Sequence, residues 1–228
     1  MTADQDYYRE HGIEDDRLAL WYYARVVRHL RPTGGRLLDF GCGTGHLLRR
    51  LSARFDACGY DASAYARSQA RLNAPDATIL EEWGSQRTRS FDIIVALHTL
   101  EHLRRPPAVM TQLAPLLTPG GVFLFVVPNT NSLGRRLKRD RWFAHRDAHL
   151  HSLLSRGEWV GLAREAGLDV QWVCGDGWWD VPYLRLVPAS LQRAVFGVPA
   201  AVQLFWPRAR PFLPPAFGEC LIVSAIRS

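Results

Sequence analysis

Short apolar runs separated by helix-patterned stretches constrain this chain more than any other feature. "RLLDF" (36–40), "DACGYD" (56–61), "ATIL" (77–80), "FDIIVAL" (91–97) and "GVFLFVV" (121–127) read as strands, being short and bounded by turn residues. Between them, helical patterns cover about 44–53, 62–72 and 106–117. The last opens on Pro106 and Pro107 and carries Val109, Met110, Leu113, Leu116 and Leu117 on one face. Strands that alternate with helices in this way imply βαβ units and a parallel sheet covered on both faces. A helix at 156–166 is marked by a capping box of Ser155 and Glu158 and stopped by Gly167, and strands at about 168–174 and 219–226 complete the sheet.

Two segments fall outside the alternation. A helix near 15–30, "DDRLALWYYARVVRHL", precedes the first strand. A Pro- and aromatic-rich stretch from Trp178 to Phe217 precedes the last, and between Val181 and Pro207 its only charges are Arg185 and Arg193. The expected organisation is a single domain over 1–228: a helical lid at 1–33, a core at 34–174, an apolar cap or insertion at 175–217 and a final strand at 218–228.

Composition narrows the function classes. A chain of 228 residues with 47% hydrophobic and 22% charged residues has the makeup of a soluble globular domain. The net charge of +6 is spread along the chain, and the dense run "GRRLKRDR" (134–141) is expected to be a solvated face. No nucleic-acid recognition module accompanies it, so nucleic acid is not the expected partner. Cys42, Cys58, Cys174 and Cys220 lie far apart and form no C-x-x-C pair, as in a reduced, intracellular protein without a zinc site. The opening "MTADQDYYREHG" has no apolar signal core, and no run reaches the length of a spanning helix, so a cytoplasmic protein is expected.

The chemistry concentrates in "LLDFGCGTGH" (37–46), a glycine-rich turn between the first strand and the first helix of the alternating unit. Ligands of doubly wound sheets bind at this turn, and an acid ending the next strand takes ribose hydroxyls. Asp61 stands there, 20 residues after Gly41. The loop reads G-C-G-T-G, with His46 where a dinucleotide fingerprint would place its third glycine, and Asp39 stands two residues ahead of Gly41. An acid so placed suits a cationic ligand and opposes a pyrophosphate. A nucleoside carrying an amine and a sulfonium satisfies both demands.

At these residues the chain resembles the class I S-adenosylmethionine-dependent methyltransferases, in particular the ubiquinone O-methyltransferase-like members of the type 11/23 group. "LLDFGCGTG", "GYDAS", "FDIIVALHTLEHL", "LLTPGGVFLFVVPN" and "DAHLHSLLSRGEWVGLAREAGLDV" occur in the family's order, from Leu37 to Val173. The resemblance implies an α/β fold: a doubly wound, mostly parallel seven-stranded Rossmann-like sheet whose last strand runs antiparallel. It also implies S-adenosylmethionine as methyl donor and S-adenosylhomocysteine as product. By position, Asp39, Gly41, Cys42, Gly43 and Gly45 would line the methionine part, Asp61 would hold the ribose, and Ala62, Ser63, Glu82 and Trp83 would border the adenine. Leu97 and His98 would stand beside the reacting methyl.

Methyl transfer to a hydroxyl or a protonated amine is helped by a base. His98 at the strand exit, and His149 and His151 in "HRDAHLHS", are the candidates, with His102 and His145 nearby. "HTLEH" also matches a zinc-protease pattern, but it lies at a strand exit. Some ubiquinone-type relatives use a divalent ion in this region. Glu101 and His102 would be its ligands here, but His98 replaces an acid of that set, and no metal is expected.

The aromatic start (Tyr7, Tyr8, Trp21, Tyr22, Tyr23), the apolar stretch 178–217 and the basic run 135–141 suggest a lid over a small lipophilic or aromatic acceptor. "VFGVPAAVQLFW" (195–206) is too short to span a bilayer but suits a peripheral contact with a membrane surface. Two other readings compete: a catalytically silent methyltransferase-like binding subunit, and a nicotinamide-dependent oxidoreductase. The sequence carries no indication of oligomeric state.

Overall fold

The computed structural model describes residues 16–84, 90–177, 181–205 and 213–228. Two compact units partition the chain. The first holds residues up to Leu97 together with 113–124 and Arg227, and the second holds 98–112, 125–226 and Ser228.

The first unit carries the strands β1 (Gly35–Phe40), β2 (Phe55–Tyr60), β3 (Thr78–Ile79) and β4 (Phe91–Leu97). Leu37 pairs with Ala57 on one side and Ile93 on the other, all in parallel register. Leu37, Leu38, Ile93, Ile94 and Val95 are fully buried, which explains why these strands read as continuous apolar runs instead of alternating ones. Among the described residues three helices accompany them: α1 (Leu18–Leu30), α2 (His46–Leu51) and α3 (Ala64–Asn73). The α1 helix buries Tyr22, Tyr23, Ala24, Val26 and Val27. Its entry is tied down by Asp16, which pairs with Arg49 and Arg50, and the Arg50 guanidinium lies 4.6 Å over the Trp21 ring. Tyr7 and Tyr8 lie outside the described residues.

The remaining elements are α4 (Pro106–Leu113), β5 (Leu117–Pro128), α5 (Leu133–Lys138), α6 (Phe143–Arg146), α7 (Arg156–Glu165), β6 (Leu168–Gly175), α8 (Ala189–Phe205) and β7 (Cys220–Arg227). The strands form one sheet in the order β3-β2-β1-β4-β5-β7-β6. This is the expected doubly wound, mostly parallel seven-stranded sheet. Cys174 sits against Ile222 and the Asp176 amide donates to Cys220, so β6 and β7 run in opposite directions.

The expected helix over 106–117 stops at Leu113, and after a tight turn at Ala114–Leu116 the strand begins at Leu117. Pro115 supplies no amide to continue the helix, so Leu116 and Leu117 bury their side chains beyond it. The run 134–141 is solvated at Arg136, Arg139 and Asp140, as expected, but not at Lys138. Ser132 caps α5 by accepting from the Arg135 amide, and Lys138, the only lysine of the chain, is buried. Its Nζ donates to Glu219 Oε2 at 2.7 Å, and the Tyr183 hydroxyl donates to the same oxygen at 2.9 Å.

Gln192, buried on α8, splints the chain before its own helix. Its Oε1 accepts from the Tyr183 and Leu184 amides at 2.7 and 2.8 Å, and its Nε2 donates to the Leu184 and Val187 carbonyls at 2.7 and 2.6 Å. Leu191, Val195 and Val198 lie together on one exposed, apolar side of α8, and Leu186 before it is 98% exposed. Among the described residues no helix is long and apolar enough to cross a membrane.

Candidate functional site

The glycine turn is built from β1 outward. Gly41, Gly43 and Gly45 have φ of +80°, +51° and +84°, which side chains with a Cβ adopt only under strain. The amides of Gly41 and Cys42 both donate to the Tyr60 carbonyl, at 2.7 and 3.0 Å, folding the turn over the end of β2. Gly45 has a second constraint, since an added Cβ would lie 2.8 Å from the Ala70 backbone of α3. Cys42 turns its thiol inward into the space left by Gly59, and burial raises that thiol well above its ordinary pKa. Toward a ligand, Cys42 therefore offers its main chain.

Asp61 knits the turn to α3. Its Oδ2 accepts from the Gly43 amide and its Oδ1 from the Ser63 amide, each at 2.9 Å. Ser63 also caps α3, accepting from the Ala66 amide. Ala62 is exposed beside Asp61, and Arg67 spends its guanidinium on the Asp61 and Ala62 carbonyls.

Asp39 gives the site its electrical character. It is 2% exposed, and burial, reinforced by the charge of Asp61, pushes its pKa up to about 7. Both influences oppose ionisation, so the turn is short of positive charge. A sulfonium or an α-ammonium supplies it and a pyrophosphate worsens the deficit. The residues present thus fit S-adenosylmethionine.

Trp83 is half-buried against Phe40 at 4.7 Å and Tyr60 at 5.5 Å between ring centroids, whereas Glu82 is exposed. Phe40 and Tyr60 carry no motif of their own and read as strand residues; only their positions, adjoining the glycine turn and Asp61, mark them. Asn73 was also missed. Its side-chain amide holds the Thr44 carbonyl at 2.9 Å from the far end of α3.

Leu97 ends β4, and His98 is the first residue of the second unit. Glu101 stands within its reach, with His98 Nδ1 3.4 Å from Glu101 Oε1. Loop 147–152 hangs from the same turn, because the amides of His151 and Ser152 both donate to the Glu101 carbonyl at 2.9 Å. His149 and His151 are themselves exposed. Among the described residues no group of three or more His, Cys, Asp and Glu side chains is arranged to hold a metal ion.

A methyltransferase-domain family model matches residues 6–172. The chain belongs to the S-adenosylmethionine-dependent methyltransferases. This methyltransferase is 28% identical over 173 residues to a ubiquinone biosynthesis O-methyltransferase of Xanthomonas axonopodis pv. citri, covering 66% of the chain and 69% of that relative. It is 35% identical over 115 residues to a protein of the same description from Nitrosococcus oceani, covering 46% of the chain and 48% of that relative. The chain thus spans about half to just over two thirds of these relatives. Among solved structures, it is similar to the plantazolicin methyltransferase BpumL in complex with SAH, at TM-score 0.67 and 17% identity over 99% of this chain and 91% of that one. It also resembles a TehB-like SAM-dependent methyltransferase from Corynebacterium glutamicum, at TM-score 0.60 and 16% identity over 98% and 96%. These likenesses place the methyltransferase in the class I fold.

Proposed function

We propose that this methyltransferase transfers a methyl group to an oxygen or nitrogen of a small, lipophilic acceptor, with His98 as the base. When bound, S-adenosylmethionine supplies an electrophilic methyl on a positively charged sulfur, which becomes a neutral thioether as the acceptor gains the methyl. The chain's own part is to hold, to align and to move one proton. Asp39 and Asp61 hold the cation and the ribose, Phe40, Tyr60 and Trp83 offer the adenine an aromatic wall, and His98 takes the proton that the acceptor loses. His149 and His151 serve as acceptor contacts on loop 147–152.

The observation that carries this reading is the buried Asp39–Asp61 pair at the glycine turn, which favours a cationic nucleoside over a nicotinamide dinucleotide. The test is calorimetric titration with S-adenosylmethionine, S-adenosylhomocysteine and NAD, beside an Asp61→Ala variant. Binding of the first two, lost in the variant, is expected, and binding of NAD alone would overturn it. S-adenosylhomocysteine release is then measured across lipophilic phenols, catechols and amines. Cofactor binding without turnover of any of them would favour a silent binding subunit.

One further observation bears on where the acceptor is met. A cavity of about 340 Å³ is lined by Arg141, Arg185, Pro182, Leu184, Leu186 and Val187, close to the exposed apolar face of α8. We infer a peripheral, cytoplasmic-side contact with an anionic lipid surface, arginines at the headgroups and leucines in the acyl boundary.

A further inference from the structure

His98 is held in a way that a packed histidine does not require. Its φ is +51°, in the left-handed region that a residue with a Cβ avoids, and its amide is fixed to the Val126 carbonyl at 2.9 Å. The ring meets Phe143 edge to face at 6.3 Å between centroids, which leaves the side chain 36% exposed. Beneath it, Glu101 is 1% exposed. One carboxylate oxygen faces His98 Nδ1, and the other, Oε2, is buried with no hydrogen-bond partner. A carboxylate buried with an unfilled oxygen destabilises the fold. The main chain of Glu101 already anchors loop 147–152, so the carboxylate has no part in that attachment.

The other acids of this unit are engaged differently. Glu219 takes Lys138 and the Tyr183 hydroxyl, and Asp176 accepts from the Cys220 amide. Asp147 approaches His149 Nδ1 at 3.5 Å, but it accepts from the His149 amide at 2.9 Å, and that histidine side chain is 64% exposed. Among the described residues, the deeply buried carboxylate facing an imidazole is that of Glu101.

We propose that Glu101 is the positioning residue for His98: its carboxylate takes the Nδ1–H of the imidazole, fixes that tautomer, and leaves Nε2 as the basic nitrogen. The inference rests on the reading of His98 as the base. The acceptor's proton passes to Nε2, and the imidazolium that forms lies against the Glu101 charge, which keeps its own proton state throughout.

The experiment is nitrogen NMR of the histidine-labelled full chain, saturated with S-adenosylhomocysteine at pH 8, with His98 assigned by comparison with His98→Gln. The expected result is the Nδ1–H tautomer for His98, lost in Glu101→Gln. With 4-tert-butylcatechol as acceptor probe, Glu101→Gln is expected to lower kcat about 100-fold and leave KM for S-adenosylmethionine unchanged. The Nε2–H tautomer in the wild-type chain would overturn the proposal, and this measurement needs no variant of Glu101 to fold. Selective broadening of the His98 and His102 signals by substoichiometric Mn²⁺ would overturn it too, because Glu101 would then be a metal ligand. Full turnover by His98→Gln, together with the Nδ1–H tautomer at His98 in the wild-type chain, would instead remove the base and leave the pairing standing, so the two failures are distinct.

Discussion

Replacing Asp39 by asparagine changes one oxygen for an amide and removes a charge that the ligand-free protein holds at a disadvantage. The carboxyl titrates at about 7 in the folded chain against an ordinary value of 3.8. Between those values the folded state binds the proton and the unfolded state has released it, so stability falls as pH rises from about 4 to about 7 and stays low above. A shift of this size corresponds to about 4 kcal/mol at pH 8 and less than half of that at pH 5. For a chain of this length each kcal/mol moves Tm by about 2–4 °C. The stabilisation of Asp39→Asn over wild type should therefore grow by roughly 5–10 °C between pH 5 and pH 8, read by thermal melts without ligand. S-adenosylmethionine should reverse the order, since the cation compensates the carboxylate and not the amide. Wild-type affinity should weaken about tenfold per pH unit below about 7. A Tm difference that does not vary with pH, or undiminished binding by the variant, would refute the electrostatic account of the turn.

Gly45→Ala forces a Cβ to 2.8 Å from Ala70 at a φ of +84°, and is expected to destabilise the chain by about 2 kcal/mol or more in urea titrations, with or without cofactor. Lys138→Met leaves Glu219 buried with the Tyr183 hydroxyl and without its ammonium, a loss of about 3–5 kcal/mol. Adding Glu219→Gln should return much of that, which a double-mutant cycle by chemical denaturation measures. Wild-type chain should sediment with phosphatidylglycerol vesicles at low salt and not with phosphatidylcholine. Leu191→Asp with Val195→Asp should abolish that while cofactor binding persists.

The parts legible in the sequence are those governed by local rules. Strand β4 matches its expected range residue for residue because "FDIIVAL" is buried on both faces and bounded by turns, and α7 is found from its Ser155–Glu158 cap. The glycine turn and Asp61 were readable because positive φ and a strand-end acid leave a spacing behind. Helix α8 was not, because Gly197 and Pro199 lie inside it and local propensity speaks against a helix there. Nor was the burial of Lys138, whose partner Glu219 lies 81 residues away, beyond any periodic signal. Glu101 was visible as a member of "LEH", but its relation to His98 depends on burial and on a left-handed backbone, neither of which a sequence pattern records.

The Gln192 side chain has a consequence for how this chain can diverge. Its four bonds measure the run from Tyr183 to Val187 against a fixed point on α8, much as a caliper does. One residue added to that run or removed from it would strand main-chain groups in the interior, whereas Arg185 and Leu186 touch none of the four bonds and are free to vary in chemistry. Homologues that retain this glutamine should therefore share the length of the run and differ in its outward side chains, so that what the cap greets can be retuned by substitution without refolding the cap.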